Sequence, residues 1–394
     1  MGLRRYLELL RLPGVTPLLL AAFVARLPYG VFALALILLL RAEGFGYASI
    51  GIVAAASGLS VGVAAPVFGR VIDRVGQTRV LLTTSVLGAV TGVALVVAAV
   101  SGAGTALLIV LALASGLTVP PVSASLRTLL PGLVGRERLD TAFAFDALQL
   151  EAVFISGPLL AAAIATVVSP EAAVLTAVAM QTAGALGVAA APASRRWRPA
   201  EREPGHIRAG ALSNPGLRTL VAALMITAIS LGVLEIGIPA FAEQEGSRGD
   251  AGWLFALWGA GSLAGGLWYG ARRWHSATAK RFLFVSAVLA LGLAPLPLAG
   301  SLPAFAVLIA VAGLGLAPST AVCYSLVGEL APEGALTEAY AWQIVAYVSG
   351  SAVGAWVAGV IVEEVSVTAA LACAPAAAGL GLLVAVVGRR SLVA

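Results

Sequence analysis

Twelve runs of roughly 20 mostly apolar residues, separated by short polar loops, constrain this chain more than any other feature. A helix of about 20 apolar residues matches the hydrocarbon thickness of a bilayer. The runs fall at 17–40, 48–69, 79–100, 105–130, 140–168 and 170–192, and again at 217–242, 251–270, 281–299, 303–328, 339–362 and 367–388. Divisions between them are least marked near Ser169-Pro170, Gly300 and Glu363-Glu364. Composition agrees: 60% of the 394 residues are hydrophobic, 11% are charged, and the mean hydropathy is +0.99. An all-α polytopic membrane protein with twelve transmembrane helices is expected. The basic start with Arg4, Arg5 and Arg11 precedes a run too long for a signal peptide and without a small-residue cleavage site, so it reads as the first span.

The net charge of +5 and pI near 9.6 do not mark a nucleic-acid partner, because no basic domain is present to hold a duplex. The charges report topology instead. All but three of the 24 basic residues fall in loops or at run ends on one side, if the N-terminus is taken as cytoplasmic. Arg41 and Arg248 fall in outer loops and Arg26 inside the first span. The positive-inside rule then puts both termini in the cytoplasm, and the lipid bilayer expected around the chain is the cytoplasmic membrane of a bacterium. Cys323 and Cys373 sit in apolar runs and His206 and His275 in loops, so neither a disulfide framework nor a metal site is implied, and no cofactor is expected. Lys280 is the single lysine and no P-loop exists, which excludes ATP hydrolysis as the energy source within this chain. With no zinc-protease motif or nucleophile elbow either, the chain does not read as an enzyme.

The polar stretch from about Ala193 to Asn214 divides the chain near its midpoint. It suggests a six-helix half at 1–192, a linker at 193–216 and a second half at 217–394. Internal repetition supports the halving. Leu139-Asp140-Thr141-Ala142-Phe143-Ala144-Phe145 aligns with Leu336-Thr337-Glu338-Ala339-Tyr340-Ala341-Trp342 at an offset of 197, half of 394. The same offset pairs Gly157 with Gly354 and Gly69 with Gly266, while an offset of 202 pairs Gly30 with Gly232 and Gly44 with Gly246.

Between the second and third runs lies Gly69-Arg70-Val71-Ile72-Asp73-Arg74-Val75-Gly76-Gln77-Thr78-Arg79. Read alone it is a tight hairpin. Gly69 lets helices approach, Gly76 permits a left-handed turn, and the arginines stay outside the bilayer. The pattern G-x-x-x-D-R-x-G resembles the cytoplasmic loop between helices 2 and 3 of the major facilitator superfamily of secondary transporters, although Gln77 and Thr78 stand where a basic residue is usual. The resemblance implies two six-helix halves related by a parallel repeat. It also implies a cytoplasmic latch, in which Asp73 engages an arginine such as Arg127 or Arg138 and faces the start of span 11 near Thr337. The alternative is a loop that only sets topology. Gly157-Pro158 resembles the end of a helix 5 signature of drug–proton antiporters, with Ala161-Ala162 replacing later glycines and Val153 an earlier one. Pro120-Pro121 in span 4 and Pro318 in span 10 mark bent or broken helices.

An ionisable residue in hydrocarbon costs about 2.5–3.5 kcal/mol on insertion scales, so each is a functional candidate. Arg26 lies near the middle of span 1, Asp146 and Glu151 in span 5, and Glu235 in the outer part of span 7. A span 5 carboxylate is the expected partner of Arg26, with Glu151 the better match in depth. Such carboxylates either exchange a proton during a transport cycle or form permanent pairs that fix helix register. Glu235 alternatively reaches interfacial water. Tyr29, Phe32, Tyr324, Trp342 and Tyr347 are aromatics placed to line a cavity or to pack. Few charges and many aromatics suit a small lipophilic or amphipathic substrate. The resulting expectation is a monomer that exports such a compound, a drug or secondary metabolite, against protons. The alternatives are a sugar or metabolite transporter of the same fold, and a ligand or lipid sensor that does not transport.

Overall fold

The computed structural model describes residues 7–135, 138–197, 210–272, 274–332 and 335–392. Every regular element among them is a helix. In hydrocarbon each backbone N–H and C=O must be satisfied within its own segment, and apolar runs this long achieve that only as helices. The first stretch comprises α1 (Val15–Arg26) and α2 (Pro28–Ala42), followed by α3 (Tyr47–Val75) and α4 (Gln77–Val100). Then come α5 (Thr105–Leu117), α6 (Val122–Val134), α7 (Leu139–Val167), α8 (Pro170–Ala190) and the short α9 (Pro192–Arg196). The rest is α10 (Pro215–Gln244), α11 (Ala251–Ala271), α12 (Thr278–Leu293), α13 (Leu302–Gly313), α14 (Leu316–Leu330), α15 (Leu336–Glu364) and α16 (Val367–Val387).

Eleven of the described stretches are long and apolar enough to cross a membrane by length and composition. The twelfth expected span is α11, a helix of 21 residues whose glycines, tryptophans and tyrosine lower its hydropathy. Three of the spans are interrupted. Pro120-Pro121 separates α5 from α6, and Leu314-Gly315 separates α13 from α14, with Pro318 tolerated in the first turn of α14. The third interruption corrects the expectation of an unbroken first span. Pro28 has no N–H to donate back to the preceding turn, so α1 ends at Arg26.

Local signals explain the other ends. Ser169 caps α8 by accepting from the Ala172 N–H at 3.2 Å, and Ser366, 197 residues on, caps α16 through Ala369 at 3.1 Å. Asn214 caps α10 through the Gly216 N–H at 2.7 Å, with Pro215 in the first helical position. Gly44 (φ 84°) and Gly246 (φ 87°), paired by the offset of 202, close α2 and α10 in the same left-handed way. In each, the next residue's N–H reaches back five residues, Phe45 to Leu40 and Ser247 to Ala242, both at 2.9 Å. The repeat is therefore visible in backbone geometry as well as in letters.

Contacts divide the chain into two compact units, Met1–Leu39 with Val63–Glu201, and Leu40–Gly62 with Arg202–Ala394. The division departs from the sequence halves, because the end of α2 and the first part of α3 belong to the second unit. Each unit has its own apolar core. Leu18, Leu19, Ala22, Leu126, Leu130 and Val188 anchor the first, and Leu217, Leu220, Phe282, Val322, Leu326 and Leu330 the second. Valines 86, 90, 93 and 97 line an exposed face of α4, as helices solvated by lipid require. The closest helix crossings use glycine. A Cβ on Gly157 would lie 2.6 Å from the Gly30 Cα in the first unit, and one on Gly354 3.0 Å from the Ile229 Cα in the second.

These crossings leave no room for a side chain. Gly157→Val is expected to lower stability by about 1–3 kcal/mol or more, since the obstacle is backbone that cannot turn aside. Gly379→Ala in α16, where a Cβ meets nothing within 4 Å, is the neutral control. Thermal unfolding of both variants in detergent, followed by tryptophan fluorescence, checks the difference.

Candidate functional site

Arg26 is the last residue of α1, roughly 16 Å from the helix start at about 1.5 Å per residue. It is the largest wholly buried side chain of the chain's described residues. A cation is favourable where a helix ends in unsatisfied carbonyls, and the break at Leu27-Pro28 places such an end in the middle of a span. The guanidinium Nη1 donates to Asp146 Oδ1 at 2.5 Å, and Asp146, on α7, is almost as buried. From α6, Arg127 brings its Nε to 3.4 Å from Asp146 Oδ2. Its side chain is 55% accessible, so one arginine of the trio is enclosed and the other open. Tyr29 on α2 lies close to Ser123 on α6 and within electrostatic reach of both arginines.

Asp146, not Glu151, is thus the partner of Arg26. The crossing at Gly30 and Gly157 does set Arg26 level with Glu151. However, helical side chains lean back toward the start of their helix, and arginine is long enough to reach a full turn earlier. Glu151 is left half-buried with no hydrogen-bond or ion-pair partner among the described residues.

Arg127, one of the two arginines expected beside Asp73, bonds Asp146 through its Nε. The surroundings of Gly69 and the side chains of Asp73 and Thr337 lie outside the described residues. Gly76 has the left-handed φ of 87° expected of it, and Arg74 and Arg79 are exposed. Gln77 is fully buried and accepts from the Thr128 hydroxyl at 3.3 Å, while the Thr78 hydroxyl donates to the Ser194 carbonyl at 3.1 Å. These two residues tie the start of α4 to α6 and α9, which explains polar uncharged residues at both positions. Gly157 and Pro158 are both buried, with Gly157 at the crossing described above.

In the second unit Glu235, on α10, is half-buried and has no hydrogen-bond or ion-pair partner among the described residues. It lies within electrostatic reach of Tyr347 on α15, and Tyr347 within reach of Tyr324 on α14. Both tyrosines are accessible over about half their surface, 52% and 49%. Trp342 does not join them and donates to Glu338 at 3.4 Å. The repeat relates Arg127 to Tyr324 and Asp146 to Gln343, which is buried. Equivalent positions thus carry an ion cluster in one unit and neutral groups in the other.

A further cluster, within the second unit, escaped the sequence reading. Arg41 grips Glu243 with two bonds, Nε to Oε2 at 2.9 Å and Nη2 to Oε1 at 2.7 Å. Tyr47 donates to Glu243 Oε2 at 2.7 Å, Arg248 to Oε1 at 2.5 Å, and the Arg41 guanidinium lies 4.6 Å from the Tyr47 ring centroid. Glu363 accepts from the Ala48 N–H at 2.8 Å nearby. Arg41 and Glu243 occupy equivalent positions of the repeat, 202 residues apart like the capping glycines just beyond them, but equivalence alone does not make them a pair. No group of three or more His, Cys, Asp or Glu placed to hold a metal occurs among the described residues.

Comparison with known proteins adds three findings. The profile of the family described as the Major Facilitator Superfamily matches residues 18–291. An uncharacterised MFS-type transporter, y4rN, of Sinorhizobium fredii (strain NBRC 101917 / NGR234) is 27% identical over 270 residues, and the match spans 66% of each chain, about two thirds of that relative's length. Among solved structures, the nucleoside transporter NupG is 14% identical with a TM-score of 0.77, covering 96% of this chain and 99% of its own. A bacterial homologue of the iron transporter ferroportin, in an inward-facing state, is 16% identical with a TM-score of 0.74, covering 95% and 98%. Identities this low show a shared fold and nothing finer.

Asp146→Asn leaves Arg26 charged and buried without a counter-ion, and is expected to cost about 3–5 kcal/mol. Arg26→Gln combined with Asp146→Asn should recover most of that loss in thermal melts of the purified protein. At the other cluster, Arg41→Glu is expected to be destabilising. The exchange Arg41→Glu with Glu243→Arg should recover about half or more of the loss in a double-mutant cycle, the behaviour of a direct pair.

Proposed function

The chain belongs to the major facilitator superfamily of membrane transporters, and we propose that it exports a small hydrophobic or amphipathic compound in exchange for protons by alternating access. The carrying observation is that Glu151 and Glu235 lie in membrane spans without a counter-charge among the described residues. A carboxylate so placed completes a transport cycle by exchanging its charge, through a proton or a bound substrate. Asp146 is unsuited to that role because Arg26 and Arg127 already hold it. The resemblance of Gly157-Pro158 to an antiporter signature supports exchange rather than uptake. The half-accessible Tyr324 and Tyr347 near Glu235 supply flat apolar surface with a polar tip, suited to an amphipathic compound.

The distribution of arginines supports seating in a bacterial cytoplasmic membrane with both termini inside, and the reading takes the chain as a monomer. In that orientation the Arg41–Glu243 cluster lies at the outer ends of spans 1 and 7, and the Gly76 turn lies on the inner face. The Asp73 latch remains part of the reading, with Arg127 or Arg138 as its arginine.

Transport in proteoliposomes tests the proposal. An imposed proton gradient is expected to drive either a fluorescent lipophilic cation or a fluorescent lipophilic carboxylate in the opposite direction. Glu151→Gln or Glu235→Gln should reduce gradient-driven movement about ten-fold or more while leaving downhill exchange. Movement that ignores the gradient, in wild type and both variants alike, would remove proton coupling from the account. Expression of a folded protein that binds both dyes and moves neither would favour a sensor.

A further inference from the structure

The ion cluster of the first unit is not closed. Of the three nitrogens of the Arg26 guanidinium, only Nη1 is bonded; Nε and Nη2 are buried and have no acceptor among the described residues. Two guanidiniums share the single carboxylate of Asp146, so the cluster carries an excess positive charge inside a membrane span. Buried donors of this kind are ordinarily satisfied, and here the unmatched charge sits on the half-accessible Arg127, where an anion can reach it. Register alone needs neither feature, because one arginine with one carboxylate already forms a neutral pair.

We infer that Arg26 and Arg127 form a subsite for the anionic group of an organic acid, with Asp146 as the fixed carboxylate that orients both guanidiniums. The planar guanidinium presents Nε and Nη2 along one edge, the edge that accepts both oxygens of a carboxylate. Arg127, half-accessible, supplies the first contact, and Arg26, enclosed, the second. The interruption at Leu27, immediately after Arg26, is where the backbone yields to admit the ligand. Tyr29 on α2, close to Ser123 on α6 and within electrostatic reach of both arginines, offers a hydroxyl to the anion. Arg26 lies too deep in its span for the headgroup of a bilayer lipid, so the anion is that of a small transported molecule.

The inference deepens the proposed function and rests on it for the size and apolar character of the substrate. It adds the charge. A neutral or cationic compound would leave the Arg26 donors unused, and a cation would be repelled by the cluster.

Binding measured without any gradient separates this inference from proton coupling. The full chain in phosphatidylcholine nanodiscs would be titrated with three probes sharing one ring system: 1-naphthoate, 1-naphthalenemethanol and 1-naphthylmethylammonium. Naphthoate is expected to bind about ten-fold tighter than either of the others, and to weaken as salt is raised. Arg127→Gln should bring naphthoate to within about two-fold of the alcohol. The Arg26→Gln, Asp146→Asn pair, which removes both charges together, should do the same in a folded protein. Equal binding of all three probes, tighter binding of the ammonium, absence of binding by naphthoate, or a naphthoate preference that survives in both variants would each overturn the inference. If gradient-driven exchange fails while the naphthoate preference holds, coupling is wrong and the anion subsite stands.

Discussion

The first unit depends on how a guanidinium is kept in the middle of a membrane span. Arg26 is wholly buried, and hydrocarbon tolerates it only because Asp146 meets it from α7 at 2.5 Å. That contact requires α1, α2 and α7 to approach at backbone distance, which Gly30 and Gly157 allow. Gly184 brings α8 equally close on the other side, where a Cβ would lie 2.6 Å from the Ala25 Cα. Small residues around a large buried charge are thus one arrangement, since van der Waals packing and polar contacts between helices are what hold helices together in lipid.

The repeat copies the scaffold and not the chemistry. Capping serines, left-handed glycines and glycine crossings recur at offsets of 197 and 202 with nearly the same backbone geometry. At the positions of the ion cluster, Arg127 and Asp146 become Tyr324 and Gln343. Backbone close approach tolerates only glycine, so it persists in both copies. A side chain that meets other side chains rather than backbone has no such constraint, and there the two copies have diverged. The charged cluster of one unit and the lone Glu235 with its tyrosines in the other are the result.

Legibility followed the same line. Spans were readable because hydropathy sums over 20 residues and tolerates local error, and eleven of twelve pass the test of length and composition in the structure. The left-handed turn at Gly76 was readable because only glycine adopts that φ without strain. The break after Arg26 was also present in the letters, as Pro28, but was masked by the continuous apolar run around it. The partner of Arg26 was mistaken for a different reason: depth counts Cα positions, and the guanidinium acts several ångströms from its own Cα.

By itself, then, the sequence determined that this chain fills a bilayer with helices in two related sets, and which few residues carry charge inside it. Those properties follow from transfer free energy and local backbone preference, which are written residue by residue. Tertiary structure alone decided that Asp146 takes both Arg26 and Arg127, that Glu151 and Glu235 have no partner among the described residues, and that Arg41 closes on Glu243. Pairing of charges far apart in the chain depends on helix crossings and side-chain reach, which no local pattern encodes.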